Sequence, residues 1–182
     1  ASNLLVRYIG AVENGKITAM HGDTEAQENL KQICIREEQK EKYWPYVSCY
    51  MQEGKTEDCL ASTGVNVSDL NACTTDAKRG LKYAQADFDL ANKFSVSSSP
   101  TLIANNKQVV SEFDFGGRNP NAIKEVVCAA SKTNPGYCSN TISKDDVAVS
   151  LSKTDEGTPG GGATNNAPQT GGSNAAQCAP VK

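Results

Sequence analysis

Seven cysteines constrain the fold of this chain more than any other feature of its sequence. They are spread over 182 residues, and no two form a Cys-x-x-Cys pair. Because His21 is the one histidine, a Cys/His zinc site does not fit, and we expect no metal and no other cofactor. Dispersed cysteines at this density are typical of structural disulfides in a secreted, periplasmic or cell-envelope protein, which is an extracytoplasmic setting.

Two of the last three cysteines can be paired from their local setting. Cys128 falls on a predicted helix, and Cys138 comes shortly after the turn at Pro135-Gly136. This close spacing predicts a Cys128–Cys138 disulfide. Cys178, in the tail, is then odd by count, and the sequence does not distinguish a free thiol, an adventitious cysteine and an intermolecular bond.

The other four cysteines lie in one helical block and allow three connectivities. We prefer Cys49–Cys59, which closes across a turn at Gly54, together with Cys34–Cys73, which joins the first and last helices of the block.

Charge and hydropathy exclude two classes of partner. The net charge is −3, and there is no basic stripe with interleaved aromatic residues, so we expect no nucleic acid. No apolar run approaches the roughly 18 residues that a membrane span needs. The triplet Asn66-Val67-Ser68 is a candidate glycosylation site.

Apolar periodicity predicts a helical block over about residues 23–94. Ala26, Leu30, Ile33 and Cys34 lie on one helix face, behind a capping box at Thr24 and Gln27, with Asp23 as the alternative cap. A shorter helix follows in "EKYWPYVSCYM", with Pro45 in its first turn. Another stops at Gly64, and a longer helix runs from a cap at Ser68 to about Phe94.

Strand signals flank this block. Leu4 to Ile9 reads as a strand, and Thr101 to Ala104 and Gln108 to Val110 read as a hairpin that opens after Pro100. A last helix begins at Pro120, capped by Asn119. The order of strand, helical block, hairpin and helix predicts an α/β fold with a small mixed sheet.

Four pieces of the chain carry a family resemblance: "HGDTEAQENLKQIC", "YWPYVSC", "SSSPTLIANNKQV" and "FGGRNPNAIKEVVC". In this order, over about Leu4 to Cys138, they resemble the second half of a thioredoxin-like fold. More narrowly, they resemble the extracytoplasmic DsbA-family thiol–disulfide oxidoreductases. The gamma-interferon-inducible lysosomal thiol reductases are looser relatives.

The resemblance implies roles for a few residues. Pro100 would be the cis proline that lies against the family's active-site dithiol, and Ser99, Pro100 and Thr101 would receive a thiol-bearing protein substrate. His21 could face or tune that dithiol, or it could be a histidine at the start of a helix that bonds nearby backbone.

One departure from the family bears on function. DsbA-like enzymes attack through a Cys-x-x-Cys at the start of the first core helix. That strand and helix are absent here, since "NLLVRYIG" aligns with the family's second core strand. The leading hypothesis is therefore an oxidoreductase-lineage protein whose catalytic dithiol is not in this chain, and no catalytic residue is assigned. The alternative is a non-enzymatic binding or assembly module on the same fold.

The absent first core strand leaves a slot in the expected sheet. A partner strand, an N-terminal segment of the native protein, or Asp146 to Ser152 could fill it, and strand exchange would give self-association or filaments. We therefore divide the chain into a thioredoxin-like domain (1–145), a possible extra strand (146–153) and a flexible Gly/Asn/Pro-rich tail (154–182).

Two further features have alternative interpretations. Tyr43, Trp44 and Tyr46 could form a peptide-binding face, or they could pack the helical block. Arg118 could contact a partner, or it could be a solvated loop residue.

Overall fold

Six α-helices and four short strands make up residues 4–147, the part of the chain that the computed structural model describes. The strands are β1 Ala11–Glu13, β2 Lys16–Thr18, β3 Leu102–Ala104 and β4 Gln108–Val110. The helices are α1 Asp23–Glu38, α2 Lys40–Glu53, α3 Thr56–Thr63, α4 Val67–Thr75, α5 Lys82–Lys93 and α6 Pro120–Ala130. A π-helical turn, Ala77–Leu81, and two 3₁₀ turns, Glu112–Phe115 and Gly136–Ser139, complete the set. This mixture of helix and strand agrees with the α/β class expected from the sequence.

The four strands form two separate antiparallel hairpins. β1 pairs with β2, and β3 pairs with β4, with Ile103 opposite Val109. The first hairpin turns at Asn14-Gly15 and the second at Asn105-Asn106, and all four residues have positive φ. Asparagine and glycine tolerate this left-handed conformation, which explains why both chain reversals form at these positions.

The strand expected over Leu4 to Ile9 does not form. This segment has no strand partner among the described residues, and the first strand begins only at Ala11. Its backbone bonds to side chains instead: the Arg36 guanidinium donates to the Val6 carbonyl oxygen, and the Tyr8 amide donates to Asp87. The sequence pattern was therefore wrong about the pairing of this segment.

The helical block over 23–94 forms as expected, although several helix starts differ. Gly22 precedes α1 and no side chain caps that helix, so the capping box at Thr24 is absent. Pro45 lies inside α2 rather than in its first turn, since α2 begins at Lys40. Gly64 ends α3 in the left-handed conformation, as expected.

The long helix expected from Ser68 to Phe94 is broken. Asn66, rather than Ser68, caps α4, and its side chain accepts from the Asp69 amide. Asp76 then adopts an extended conformation, and its side chain accepts a hydrogen bond from the Lys78 amide. Asp76 thereby caps the π-helical turn that precedes α5. The break changes the helical phase, so Ala77, which continues the apolar spacing of Leu70 and Cys73, is exposed.

Two apolar clusters lie in the helical part, by which we mean residues 4–96. The first is centred on the helices α1 to α4 and contains Cys34, Ile35, Tyr43, Tyr46, Cys59, Leu60, Val65, Leu70 and Cys73. The second joins the β1–β2 hairpin to α1 and α5 and contains Ile17, Ala26, Ile33, Ala84 and Phe88. The C-terminal part, residues 97–147, contributes to neither cluster.

Three disulfides close the described chain: Cys34–Cys73, Cys49–Cys59 and Cys128–Cys138. These are the three pairs preferred from the sequence, and the first two hold the helical part. Cys178 and the tail lie outside the described residues, as does most of the possible strand at 146–152. Asp146 and Val147, its first residues, belong to no regular element.

Candidate binding site

The C-terminal part presents an apolar strand that is only partly covered. All three residues of β3, Leu102, Ile103 and Ala104, are half-buried. Because β3 belongs to a two-stranded sheet, one of its edges has no strand partner within residues 4–147. A run of consecutive apolar residues is typical of a strand covered on both faces, and here that covering is incomplete.

The residues that lead into β3 are those singled out by the family resemblance. The Ser99–Pro100 peptide bond is cis. Ser99 and Pro100 are exposed, while Thr101 is half-buried and its hydroxyl donates to the Ser98 carbonyl oxygen at 2.6 Å. The approach to the open strand is thus a bend whose last residue is fixed by a local side-chain bond.

Within residues 4–147, His21 forms its hydrogen bonds with Glu25 of α1 and not with this bend. Its backbone amide and its Nδ1 both contact Glu25 Oε2, at 2.7 and 3.0 Å, and 74% of its side chain is exposed. Within residues 4–147, no hydrogen bond joins it to Ser99, Pro100 or Thr101. The structure therefore does not bring the four proposed substrate-binding residues together through bonded contacts.

The aromatic residues of α2 divide into two groups. Tyr43 and Tyr46 are buried in the first cluster, so they pack the helical part. Trp44 is 46% exposed and meets the Tyr43 ring edge-on at a centroid distance of 5.3 Å. Only Trp44 of the three is open to a partner.

Arg118 is tied to its own loop. Its Nε donates to Oε1 of the buried Glu112 at 3.1 Å, and its guanidinium lies 5.7 Å from the centre of the Phe113 ring. Phe113 is among the most exposed large apolar residues of the described chain. This arrangement holds an exposed aromatic ring next to the end of β4.

A buried ion cluster holds the Leu4–Ile9 segment against the helices. Asp87 is completely buried and accepts from Arg36 at 2.7 and 2.9 Å and from Arg7 at 2.7 Å. Burial disfavours the charged form of Arg36, but its hydrogen bonds and ion pair with Asp87 outweigh this, so the pKa of Arg36 is raised. Arg36 therefore stays charged despite its burial.

A tyrosine network extends from this cluster into the core. The Tyr8 hydroxyl donates to Gln32 at 2.6 Å, and Gln32 in turn donates to Glu28 at 2.8 Å. Tyr46 and Thr56 also donate to the Glu28 carboxylate, at 2.7 and 2.9 Å. Burial raises the pKa of Tyr8 and Tyr46, aided by Tyr43 and Glu28 respectively, so both tyrosines stay neutral donors.

Sequence reasoning did not find this polar network. Arg36 and Asp87 adjoin the apolar residues Ile35 and Phe88, and apolar periodicity does not count charged residues. A signal existed nonetheless, since both charges fall where their helices are buried, and a buried charge requires a partner of opposite sign.

Two kinds of site are absent from the described chain. No group of three or more histidine, cysteine or acidic side chains is arranged to hold a metal within residues 4–147. In the same range, no helix combines the length and apolar character that crossing a bilayer requires.

A plant protein shares sequence similarity with this chain. Vacuolar-sorting receptor 5 of Arabidopsis thaliana is 28% identical over 144 residues, which cover 66% of this chain and 22% of the receptor. The chain thus spans less than a quarter of that relative's length. No family model matches the sequence, and no solved structure matches it.

Proposed function

We propose that this chain is a non-enzymatic, protein-binding module on a thioredoxin-like scaffold, and that it takes up an extended segment of a protein partner along the open edge of β3. The observation that carries this proposal is the state of β3 itself. Its three apolar residues are only half-buried, and one edge lacks a strand partner within residues 4–147. Such an edge pairs readily with an incoming strand, whose backbone supplies the missing hydrogen bonds.

The order of elements supports the thioredoxin-like scaffold. A helical block is followed by a hairpin and a last helix, and this order agrees with the one expected from the DsbA-like resemblance. The two hairpins belong to separate sheets and the expected strand over Leu4 to Ile9 does not form, so the proposed scaffold rests on the helical block, the β3–β4 hairpin and α6. An added strand of the partner would pair with the open edge of β3.

The cysteines favour binding over catalysis. All six cysteines within residues 4–147 are in disulfides. Disulfide exchange needs an accessible thiolate with a lowered pKa, and the described chain supplies none. Three disulfides also favour an oxidising, extracytoplasmic location.

The similarity to a vacuolar-sorting receptor points in the same direction. A receptor acts by binding, and the relative is a plant protein of a sorting route, which supports a secretory-pathway setting.

A peptide selection tests the proposal. A library of random twelve-residue peptides displayed on phage is selected on the full chain, and the selected peptides are synthesised as probes. We expect alternating apolar sequences, and we expect them to shift the NMR amide signals of Leu102, Ile103 and Ala104. Selected peptides that leave those three signals unchanged would contradict binding at β3.

A pair of variants across the hairpin sharpens this test. Ile103→Lys places a charge on the open strand and should weaken probe binding by about tenfold or more, since lysine on an edge disfavours strand addition. Val109→Lys is the matched control, because Val109 lies opposite Ile103 on β4 and is already 55% exposed. Equal losses for the two variants would count against the β3 edge.

The competing hypothesis, disulfide exchange, is separated by an insulin-reduction assay with dithiothreitol. We expect no acceleration over dithiothreitol alone. A rate like that of thioredoxin would show that this chain carries an active thiol.

A further inference from the structure

We propose that Asn66 is a site of N-linked glycosylation. The triplet Asn66-Val67-Ser68 is the one place in the 182 residues where an asparagine is followed, after a residue other than proline, by serine or threonine. Sequons occur by chance, so the argument depends on how the fold presents this one.

The whole triplet is accessible. Asn66 and Ser68 are exposed, and so is Val67, at 42%. Asn66 has an extended backbone and lies between Gly64, which ends α3, and α4, which begins at Val67. The acceptor asparagine thus stands at a corner between two helices, where an attached group projects into solvent.

The two atoms of the Asn66 side-chain amide have different roles. Oδ1 accepts from the Asp69 amide at 3.2 Å and caps α4. Nδ2, the atom to which a sugar would be joined, has no hydrogen-bond partner within residues 4–147. The cap therefore orients the amide and leaves its nitrogen accessible.

Gln39 fixes the backbone of Asn66 from the other side. The Asn66 amide donates to Gln39 Oε1 at 2.8 Å, and Gln39 Nε2 donates to the Asn66 carbonyl oxygen at 3.0 Å. Gln39 therefore holds both backbone polar groups of Asn66 and leaves its side-chain nitrogen unbonded.

The chemistry preserves the fold. The anomeric carbon of a lipid-linked oligosaccharide bonds to Nδ2, its bond to the pyrophosphate oxygen breaks, and the lipid pyrophosphate leaves while Nδ2 loses one proton. Nothing is oxidised or reduced. Because the amide bond and Oδ1 persist, the cap of α4 and its stabilising contribution are retained.

Cell-free translation with microsomes tests this inference. The full chain is imported through an added signal peptide, and protease protection identifies the imported product. We expect one discrete decrease in electrophoretic mobility. Peptide-N-glycosidase F should reverse it and convert Asn66 to aspartate, and peptide mass spectrometry detects that conversion. The result is independent of binding at β3, since no described bond connects Asn66 to the C-terminal part.

Three variants complete the experiment. Asn66→Gln and Ser68→Ala should both lose the mobility change, and Ser68→Ala retains the Asn66 cap, so it separates loss of the sequon from loss of the fold. Ser68→Thr should keep the change. An imported wild-type chain with the mobility of Asn66→Gln, or a change that survives in Asn66→Gln, would overturn the proposal.

Discussion

Asp87 is a buried carboxylate whose charge is shared between two arginines. Arg36 is 5% exposed and bonds both of its oxygens, while Arg7 lies nearer the surface and bonds one. A buried ion pair adds little net stability compared with an apolar pair, but removing one partner leaves the other charge uncompensated. The cluster matters because it attaches the Leu4–Ile9 segment to α1 and α5.

We expect Asp87→Ala to lower the free energy of unfolding by about 3–5 kcal/mol, because Arg36 is left buried without a counter-ion. Asp89→Ala is the control, since Asp89 is exposed on the same helix, and it should change the value by about 0.5 kcal/mol or less. Urea unfolding followed by circular dichroism measures both. A loss below about 1 kcal/mol for Asp87→Ala would mean that water reaches Arg36.

Glu38 gives the stability a pH dependence. The Arg79 guanidinium donates to both of its oxygens, at 2.9 and 2.6 Å, and holds the pKa of Glu38 below its ordinary 4.5. A lowered pKa in the folded state means that this stabilisation is present above pH 4.5 and is lost as the pH falls through the lower folded value.

Glu38→Gln should therefore flatten the decline of stability below pH 4.5, because glutamine does not titrate. Urea midpoints at several pH values between 7 and 3 measure this. Glu13→Gln, at an exposed carboxylate with no ion pair among the described residues, should keep the wild-type slope. Identical acid slopes for wild type and Glu38→Gln would contradict the assignment to Glu38.

At the scale of elements, the sequence predicted what local chemistry decides. Gly64 ends a helix because glycine tolerates the left-handed conformation, and the apolar spacing around Ile33 and Cys34 gives α1 its buried face. The sequence pattern was wrong where two local conformations compete for the same residues. Asp76 leaves the helical conformation and caps the next turn, which apolar spacing cannot show. For the candidate site, the segment "TLIA" predicted β3. Whether an edge of β3 is open depends on which other strands pair with it, and the local sequence does not show this.

Gly80 shows why the π-helical turn tolerates one residue type. A Cβ at this position would lie 2.6 Å from the Cys73 carbonyl oxygen and 3.4 Å from Cys34 Sγ. Alanine normally favours helix over glycine, yet here the backbone at Cys73 or at the π-helical turn would have to shift, and Cys73 is held by its disulfide to Cys34.

We expect Gly80→Ala to destabilise the protein by about 1–3 kcal/mol through overpacking. Gly136→Ala is the matched control, since a Cβ there meets nothing within 4 Å, and we expect its effect to be near zero or slightly stabilising. The melting temperatures of the two variants and of the wild type, taken from thermal unfolding, measure the difference. Equal melting temperatures for Gly80→Ala and wild type would show that α4 shifts at no cost.

For the whole molecule, the division into two parts is the main feature. The hydrogen bonds, ion pairs and disulfides described above stay within residues 4–96 or within 97–147, and both apolar clusters lie in the helical part. The sequence could not show this, because the relation between the two hairpins depends on pairing across a long stretch of chain, whereas periodicity is local.

Native-state hydrogen exchange should reveal the division. We expect amides of α1 and α5 to be protected by at least about tenfold more than those of α6, since local opening of α6 disrupts less buried apolar surface. Two-dimensional NMR in deuterated water measures both sets. Equal protection across the two parts would indicate a single cooperative unit.

The fluorescence of Trp44 makes the division into two parts measurable during unfolding. Trp44 is the one tryptophan of the chain and lies in α2, so its emission reports the environment of the helical part alone. Circular dichroism averages over every helix, including α6. Fluorescence therefore follows the helical part, whereas circular dichroism follows both parts, and the two transition curves superimpose only when both parts unfold together.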